Sequence, residues 1–202
     1  MELPITDLTP YARGLSPHIH LSTDIWTIAK FRLDEFNPRR NYIIDEFEKW
    51  VTEFQSKPTT TFKPQQIEVR NNILALTGLT ESAKRDTAET STTVRYMGIG
   101  TGSTAESESQ SALVTEDTGG SYARKDLSTA GQRKVVNQTA KYGAAWDDGD
   151  VSAVPLGLRE AGLFTASTSG IMHARVLHSL FTMSSGDLYV VQLNELHANG
   201  SS

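Results

Sequence analysis

Alternation of apolar and polar side chains begins near residue 24 and predicts the first strand of the chain. In residues 24–33 two sets of positions alternate: Ile25, Thr27, Ala29, Phe31 and Leu33 in one set, and Trp26, Ile28, Lys30 and Arg32 in the other. Successive side chains of a strand point to opposite faces, so this period of two is typical of a strand.

A helical period follows the strand. Asn37 and Pro38 supply an N-cap residue and a proline suited to a first helical turn. Large apolar side chains then recur at spacings of four, three and four, at Ile43, Phe47, Trp50 and Phe54. Charged residues occupy the other side, and Lys57-Pro58 ends the pattern. These features predict an amphipathic helix over about residues 40–56 with its apolar stripe on a core.

The middle of the chain carries weaker signals. Residues 57–64 lie between two prolines and are predicted to be a linker. Residues 65–76 are interpreted as a second, weaker helix that ends near Gly78. Residues 80–93 are rich in Thr, Ser, Ala and charge without apolar periodicity, which predicts an exposed loop.

From about residue 92 the pattern becomes that of β-structure. A strand through Val94 and Tyr96 runs into the glycines of residues 98–102 (GIGTG). Five further strand candidates follow, separated by turn signals: residues 121–127, 133–146, 158–166, 171–183 and 187–196. Long strands joined by short turns favour an antiparallel β-sandwich over about residues 92–196.

The predicted elements divide the chain into four parts. Residues 1–22, with three prolines, are predicted to be an extended arm that could lie across a neighbouring subunit. Residues 23–91 form a strand, helix and loop region packed on or linked to the sandwich, and residues 197–202 form a tail. The expected fold is therefore mainly β, with an N-terminal strand, one amphipathic helix and an arm.

Composition excludes several functional classes. A net charge of -5 and a pI near 5.5 argue against a nucleic-acid-binding face. The absence of cysteine removes disulfides, thiolate metal sites and thiol nucleophiles. With no long apolar run and no signal-peptide pattern at the N-terminus, we expect no membrane span and synthesis in the cytosol.

The glycine block does not match a phosphate-binding loop. A dinucleotide fingerprint needs a different glycine spacing, and a P-loop needs a lysine after its last glycine. Here Gly102 is followed by residues 103–108 (STAESE), whose two carboxylates would repel a phosphate. We interpret Gly98, Gly100 and Gly102 as residues that serve backbone geometry.

Other short motifs also fail as sites of chemistry. Asp117-Thr118-Gly119 is a single copy of a protease signature that must occur twice. Residues 147–150 (DDGD) resemble part of a calcium loop but lack its glutamate, and His18-Ile19-His20 lacks further ligands. His173 and His178 are predicted to lie on opposite faces of one strand as surface or edge polarity. We therefore predict no catalytic, cofactor-binding or metal site.

Several blocks in their order resemble a family of structural proteins of tailed phages and related viruses. The matching positions are residues 41–44 (NYII), 96–105 (YMGIGTGSTA), 112–116 (ALVTE), 160–164 (EAGLF), 170–175 (GIMHAR) and 186–190 (GDLYV). The resemblance covers roughly residues 24–196. The chain departs from the family at Glu106, where a proline is usual, and in its longer segment at residues 57–91.

The resemblance implies a non-enzymatic virion component. Such a protein would assemble in the host cytoplasm, as a homo-oligomer with a trimer favoured, on a capsid as a decoration or minor capsid protein, or on a tail. Its partners would be the major capsid protein or other virion proteins.

Two alternatives belong to other classes. A receptor- or carbohydrate-binding fibre module would expose Trp26, Trp146 or Tyr142 in a groove. A hydrolase would bring together two or more of Ser103, Asp117, His173 and His178 in one cleft.

Overall fold

A computed structural model of the chain describes residues 25–32, 44–45, 47–49, 65–71, 73–86, 92–120, 124–128, 131–137 and 139–196. Within these residues the chain forms one helix, Leu76–Asp86, a few further helical residues at 44–49, and ten strands. The strands are β1 Ile25–Arg32, β2 Gln66–Asn71, β3 Ile73–Leu74, β4 Tyr96–Gly100, β5 Arg124–Asp126, β6 Arg133–Val136, β7 Thr139–Asp147, β8 Leu156–Phe164, β9 Met172–Met183 and β10 Asp187–Leu196. No helix in the described part of the chain has the length and apolarity needed to cross a membrane.

The strands form two antiparallel sheets that pack face to face. Sheet A has the order β2-β1-β10-β7-β6, and sheet B has the order β3-β9-β8-β4-β5. Large side chains from both inner faces fill the space between the sheets, including Trp26, Trp146 and Tyr189 of sheet A and Leu163 and Phe181 of sheet B. The predicted antiparallel β-sandwich is confirmed.

The sandwich begins earlier in the chain than residue 92. The predicted first strand is confirmed as β1, which lies inside sheet A between β2 and β10. Its two faces are both buried, because Trp26 and Ile28 contact the main core while Ala29 and Phe31 contact a second cluster outside sheet A. Strands β1, β2 and β3 thus make the segment before residue 92 part of both sheets.

The second cluster is where the predicted amphipathic helix meets the sheet. Residues 44–45 and 47–49 are helical, and Ile44 and Phe47 are buried. Phe47 packs edge-on against Phe31, with 6.5 Å between ring centroids. The buried face includes Ile44 beside Phe47, whereas Ile43, Trp50 and Phe54 lie outside the described residues, as do the predicted arm and tail.

The predicted helix at residues 65–76 is wrong, and the predicted loop at residues 80–93 is wrong over residues 80–86. Strands β2 and β3 occupy Gln66–Asn71 and Ile73–Leu74, and the helix Leu76–Asp86 follows. Residues 87–91 lie outside the described residues, and residues 92–93 belong to neither a helix nor a strand. Along β2 the polar positions Gln66, Glu68 and Arg70 alternate with Ile67 and Val69, which is a strand period in a segment too polar to indicate burial.

The interior position of Gly78 explains why the helix passes it. A Cβ at Gly78 would lie 2.2 Å from the His173 carbonyl oxygen, so the glycine allows the helix to approach β9 closely. The side chain of Thr77 donates a hydrogen bond to the Met172 carbonyl, 2.8 Å away, at the same place. Tertiary contact therefore offsets the low helix propensity of glycine.

Two strand predictions need correction in detail. The single strand predicted at residues 133–146 is a hairpin of β6 and β7, which turns at Asn137, where φ is 47°. In β9 the even-numbered apolar residues Met172, Ala174, Val176 and Leu180 do not share one face, as a single regular strand at residues 171–183 would require. Pairing between β8 and β9 shifts twice, so Ala174 and Val176 lie in the main core while Leu180 is 44% exposed.

Candidate functional site

The glycine block and the EAGLF block meet at one buried carboxylate. Glu160 of β8 is fully buried. Its Oε1 accepts hydrogen bonds from the backbone N–H groups of Gly102 (3.1 Å) and Thr115 (2.8 Å). Its Oε2 accepts one from the Val114 N–H at 3.1 Å. The carboxylate therefore fastens two stretches of irregular chain, near residues 102 and 114, to the sheet.

The glycines make this approach sterically possible. A Cβ at Gly100 would lie 2.4 Å from the Thr115 carbonyl oxygen, and one at Gly102 would lie 2.4 Å from Oε1 of Glu160. Contacts this short are far inside van der Waals distance, so any side chain at these positions would displace the loop or the carboxylate. The interpretation of these glycines as residues of backbone geometry agrees with these contacts.

Arg175, from the GIMHAR block, supplies the opposite charge. Its Nε donates to Oε2 of Glu160 at 2.8 Å, and the side chain is 3% exposed. Its remaining nitrogens donate to the Gln110 side chain (2.9 Å) and to the Thr104 carbonyl (3.0 Å). Residues of three separate motifs thus build one buried ion pair, in which each guanidinium nitrogen and each carboxylate oxygen is hydrogen-bonded within the protein.

A second ion pair lies beside the first. The guanidinium of Arg124 donates to both carboxylate oxygens of Glu116, at 2.5 and 2.8 Å. It lies over the Phe164 ring, 3.6 Å from the ring centroid, and also donates to the Ala166 and Ser169 carbonyls. Glu116 and Phe164 both belong to the resemblance motifs, so these motifs too hold loops against sheet B.

The histidines are not surface polarity, and that prediction is wrong. His173 and His178 are 0% and 3% exposed. Nε2 of His173 lies 3.0 Å from Oε1 of Glu195, which links β9 of sheet B to β10 of sheet A. Sequence parity does not reveal this burial because both residues lie beside the irregular pairings of β9 with β8.

His178 makes another link between the sheets. Its Nε2 lies 2.6 Å from the Tyr189 hydroxyl and its Nδ1 lies 2.7 Å from the Ser179 carbonyl. A carbonyl only accepts, so Nδ1 carries the proton and Nε2 accepts from Tyr189. Burial lowers the pKa of His178 from 6.5 to about 4, which keeps the ring neutral near pH 7.

The lowered pKa predicts that the fold weakens in mild acid. Between pH 6.5 and 4 the unfolded chain binds a proton at His178 that the folded chain does not, so stability falls as the pH falls through this window. We expect a loss of about 2 kcal/mol from this residue between pH 7 and pH 5. Urea unfolding at the two pH values, followed by tryptophan fluorescence, measures it.

The variant His178→Gln provides the comparison, because it cannot titrate in this range. It is expected to be less stable than the unchanged chain at pH 7 but to lose less stability on going to pH 5. Equal losses in the two proteins would contradict the assigned role of His178.

The aspartates of the two short motifs, residues 117–119 and 147–150, form hydrogen bonds and an ion pair within the protein. Asp117 accepts hydrogen bonds from the Ser152 N–H (3.0 Å) and the Gly119 N–H (3.4 Å). Asp150 pairs with Lys125 at 2.7 Å. Asp148 accepts from the Gly186 N–H and the Ser185 hydroxyl, both at 2.9 Å, and these bonds lower its pKa. Across the described ranges no three or more His, Asp or Glu side chains gather in a way that could hold a metal ion.

The residues of the two alternative functions are placed elsewhere. Asp117, His173 and His178 bond to three different partners, namely Ser152, Glu195 and Tyr189, and Ser103 is exposed on the loop after the glycine block. Trp26 and Trp146 are fully buried in the main core, and only Tyr142 of the three aromatic candidates is partly exposed. The two tryptophans therefore do not line an exposed groove, and within the described part of the chain no hydrogen bond joins any two of the four proposed hydrolase residues.

The Glu160 network was not predicted as a site. The available signal was a single carboxylate inside the otherwise apolar end of a strand, at residues 160–164, together with an arginine among the apolar residues of β9. Neither residue type is commonly buried without a partner. Pairing them needed the order of β8 and β9 in the sheet.

Comparisons of the chain with protein-family models, with curated proteins and with solved structures return no match.

Proposed function

We propose that this chain is a non-enzymatic structural protein of a virion, which assembles on the capsid of a tailed virus as a decoration or minor capsid protein, or on its tail. The observation that carries the proposal is that four of the six blocks shared with the resembled family, at residues 96–105, 112–116, 160–164 and 170–175, meet at the Glu160–Arg175 pair. Their side chains hold loops to a sheet, which suits a scaffold for binding other proteins better than it suits chemistry.

The contacts of the charged motif residues support a non-enzymatic role. Active sites commonly leave a titratable group pointing into a cleft with a perturbed pKa. Here Glu160, Arg175 and Arg124 are each bonded to backbone or side-chain partners and are largely buried. A rigid β-sandwich with tightly fastened loops is a suitable building block for an assembly.

The proposal predicts where the protein is found. Mass spectrometry of purified particles of the virus that encodes this chain should detect it at a stoichiometric copy number, and a cryo-EM map should contain density that fits the sandwich. A chain that is absent from particles and remains free in the infected cell would overturn the proposal. The map also distinguishes the capsid from the tail.

The receptor- or carbohydrate-binding alternative has less support, because Trp26 and Trp146 are core residues. Binding on a glycan array that is lost in Tyr142→Ala would favour it instead.

A further inference from the structure

The edge strands on the two sides of the sandwich have different surroundings. On one side β2 of sheet A lies next to β9 of sheet B, and on the other side β6 and β5 are the last strands of their sheets. A strand at the edge of a sheet presents backbone groups that can pair with another chain unless they are covered. The side whose edge-strand backbone groups lack hydrogen-bond partners is the side where a strand of another chain can bind.

The side formed by β2 and β9 is covered by polar side chains. Beyond β3, the backbone of β9 is bonded by side chains that come mostly from β1 and β2. Glu68 accepts from the Ser179 N–H at 3.0 Å, Gln66 donates to the Leu180 carbonyl at 3.1 Å, and Lys30 donates to the Thr182 carbonyl at 2.9 Å. Glu106 accepts from the Leu177 N–H. These bonds occupy backbone groups of residues 177, 179, 180 and 182, so β9 offers few free groups to a partner.

On the opposite side of the sandwich, β6 has no neighbouring strand among the described residues other than β7. Val135 and Val136 are 75% and 37% exposed, and no described residue pairs with the outward side of β6. Val135 lies opposite Ala140, on the face of sheet A that carries the core residues Ala144 and Trp146. It therefore faces the core side at a corner that sheet B does not cover. A cavity of about 450 Å³ opens there, between β6, β7 and residues 93–94.

The hairpin register shows which backbone groups of β6 are free. The Gly143 N–H donates to the Gln132 carbonyl, so residues 132, 134 and 136 bond to β7 and the groups of Arg133 and Val135 point outward. A partner strand would hydrogen-bond to these two residues.

We propose that β6 is a self-association edge, at which β6 of a second copy of this chain pairs antiparallel about a two-fold axis. A two-fold contact between identical strands must be antiparallel and must place residues with outward groups opposite each other. Three registers satisfy this condition, with Arg133 opposite Arg133, Lys134 opposite Lys134, or Val135 opposite Val135 of the second copy. Like charges directly opposite each other are destabilising.

Charge and apolar burial select the third register. It places each Lys134 opposite Val136 of the second copy and brings the two Val135 side chains together. The most exposed large apolar side chain among the described residues then becomes buried. Sheet A continues across the axis into its copy. The inference rests on the proposed function in one respect, because a virion protein needs contacts between its copies. The two-fold contact proposed here differs from the trimer that the resemblance favours.

The absence of cysteine in the chain makes the test direct. In the variant Val135→Cys the two cysteines would face each other across the two-fold axis. Their Cα atoms would be roughly 5.5 Å apart, as in a hydrogen-bonded antiparallel pair, and a disulfide can span that distance. Under mild oxidation of the full chain we expect a cross-linked dimer to form at least ~10-fold faster than in Lys134→Cys, which tests the second register, or in Val69→Cys. Val69 is the matched control because it is 61% exposed on the other edge strand of the same sheet.

A second pair of variants tests the backbone contact. Val135→Pro removes an outward N–H that β7 does not use, so the fold should persist while the dimer seen by analytical ultracentrifugation is lost. Val135→Lys keeps the N–H group but places two like charges opposite each other at the axis, so it should weaken the dimer. This variant provides the test if Val135→Pro fails to fold.

Equal cross-linking at residues 135 and 69, faster cross-linking at residue 134, or an unmodified chain that stays monomeric would each overturn the inference. A chain that dimerises through β6 but is absent from virus particles would overturn the proposed function alone, and a chain found in particles without this contact would overturn the edge alone.

Discussion

Replacing Glu160 by glutamine is expected to destabilise the fold by about 3–5 kcal/mol, because it leaves the buried guanidinium of Arg175 without its counter-charge. The amide would also turn an N–H₂ group toward donors, since all three backbone partners of Glu160 are N–H groups. A loss of this size is a large part of the stability of an ordinary domain, and folding itself can fail. The measurement is urea unfolding at pH 7 followed by the fluorescence of the buried Trp26 and Trp146.

The matched control is an ion pair on the surface of the same sheet. Arg95 of the sequence before β4 forms two hydrogen bonds to Asp126 of β5, at 2.8 and 2.6 Å, but both side chains are more than a third exposed. Arg95→Met should cost far less than Glu160→Gln, because water and salt screen exposed pairs. A similar cost for both variants would show that burial of Glu160 does not have the energetic role assigned to it.

A double variant tests whether Glu160 and Arg175 act as a pair. If they do, Glu160→Gln combined with Arg175→Met should cost clearly less than the sum of the two single changes, since the second change removes the charge that the first one leaves unpaired. Additive costs would indicate that each residue is held by its other partners.

Gly100→Ala is expected to cost about 3 kcal/mol or more. The added Cβ would lie 2.4 Å from the Thr115 carbonyl oxygen and 2.7 Å from Oε1 of Glu160, and the first of these is backbone that cannot rotate away. The isolated bridge between Gly100 and Glu116 would have to open, which removes the loop that carries Thr115 from the carboxylate. Thermal and urea unfolding measure the loss, and amide hydrogen exchange should show reduced protection of Thr115.

Gly149→Ala is the control for this change. Gly149 lies exposed in the turn after β7, and a Cβ there would meet only the Asp147 side chain, at 3.3 Å. Its effect should stay within about 0.5 kcal/mol. If Gly100→Ala were as mild, the glycine block would not be required for close approach.

The strongest periodic patterns predicted the fold well. β1, β8, β9 and β10 match predicted strands to within about two residues, the accuracy at which any method assigns ends. The interpretation of the glycine block as a feature of backbone geometry agrees with the close contacts at Gly100 and Gly102. The predictions that failed rested on weak or interrupted patterns. β2 is mostly polar, and the chain between β6 and β7 turns at Asn137 rather than at a glycine.

Burial of polar residues was the part that a linear pattern could not predict. From their residue types, Gln66 and Glu68 would be predicted to lie on the surface in contact with water. In the structure their side chains form hydrogen bonds to the backbone of β9. His173 and His178 have the parity of a regular strand in sequence, but shifts in pairing turn them toward Glu195 and Tyr189. These roles depend on which residues of other strands lie opposite in space, and the residue pattern of one strand does not show that.

The sequence by itself determined that the chain forms a β-sandwich with an early strand and that its glycines do not have the spacing of a phosphate-binding loop, because periodicity, glycine spacing and residue type are local properties. Only the tertiary structure decided that Gly100 and Gly102 leave the space into which Glu160 fits, that Arg175 neutralises it, and that β6 is an edge strand with no described neighbour on its outward side. Each of these depends on which strands become neighbours, and that order is set by packing of the whole core.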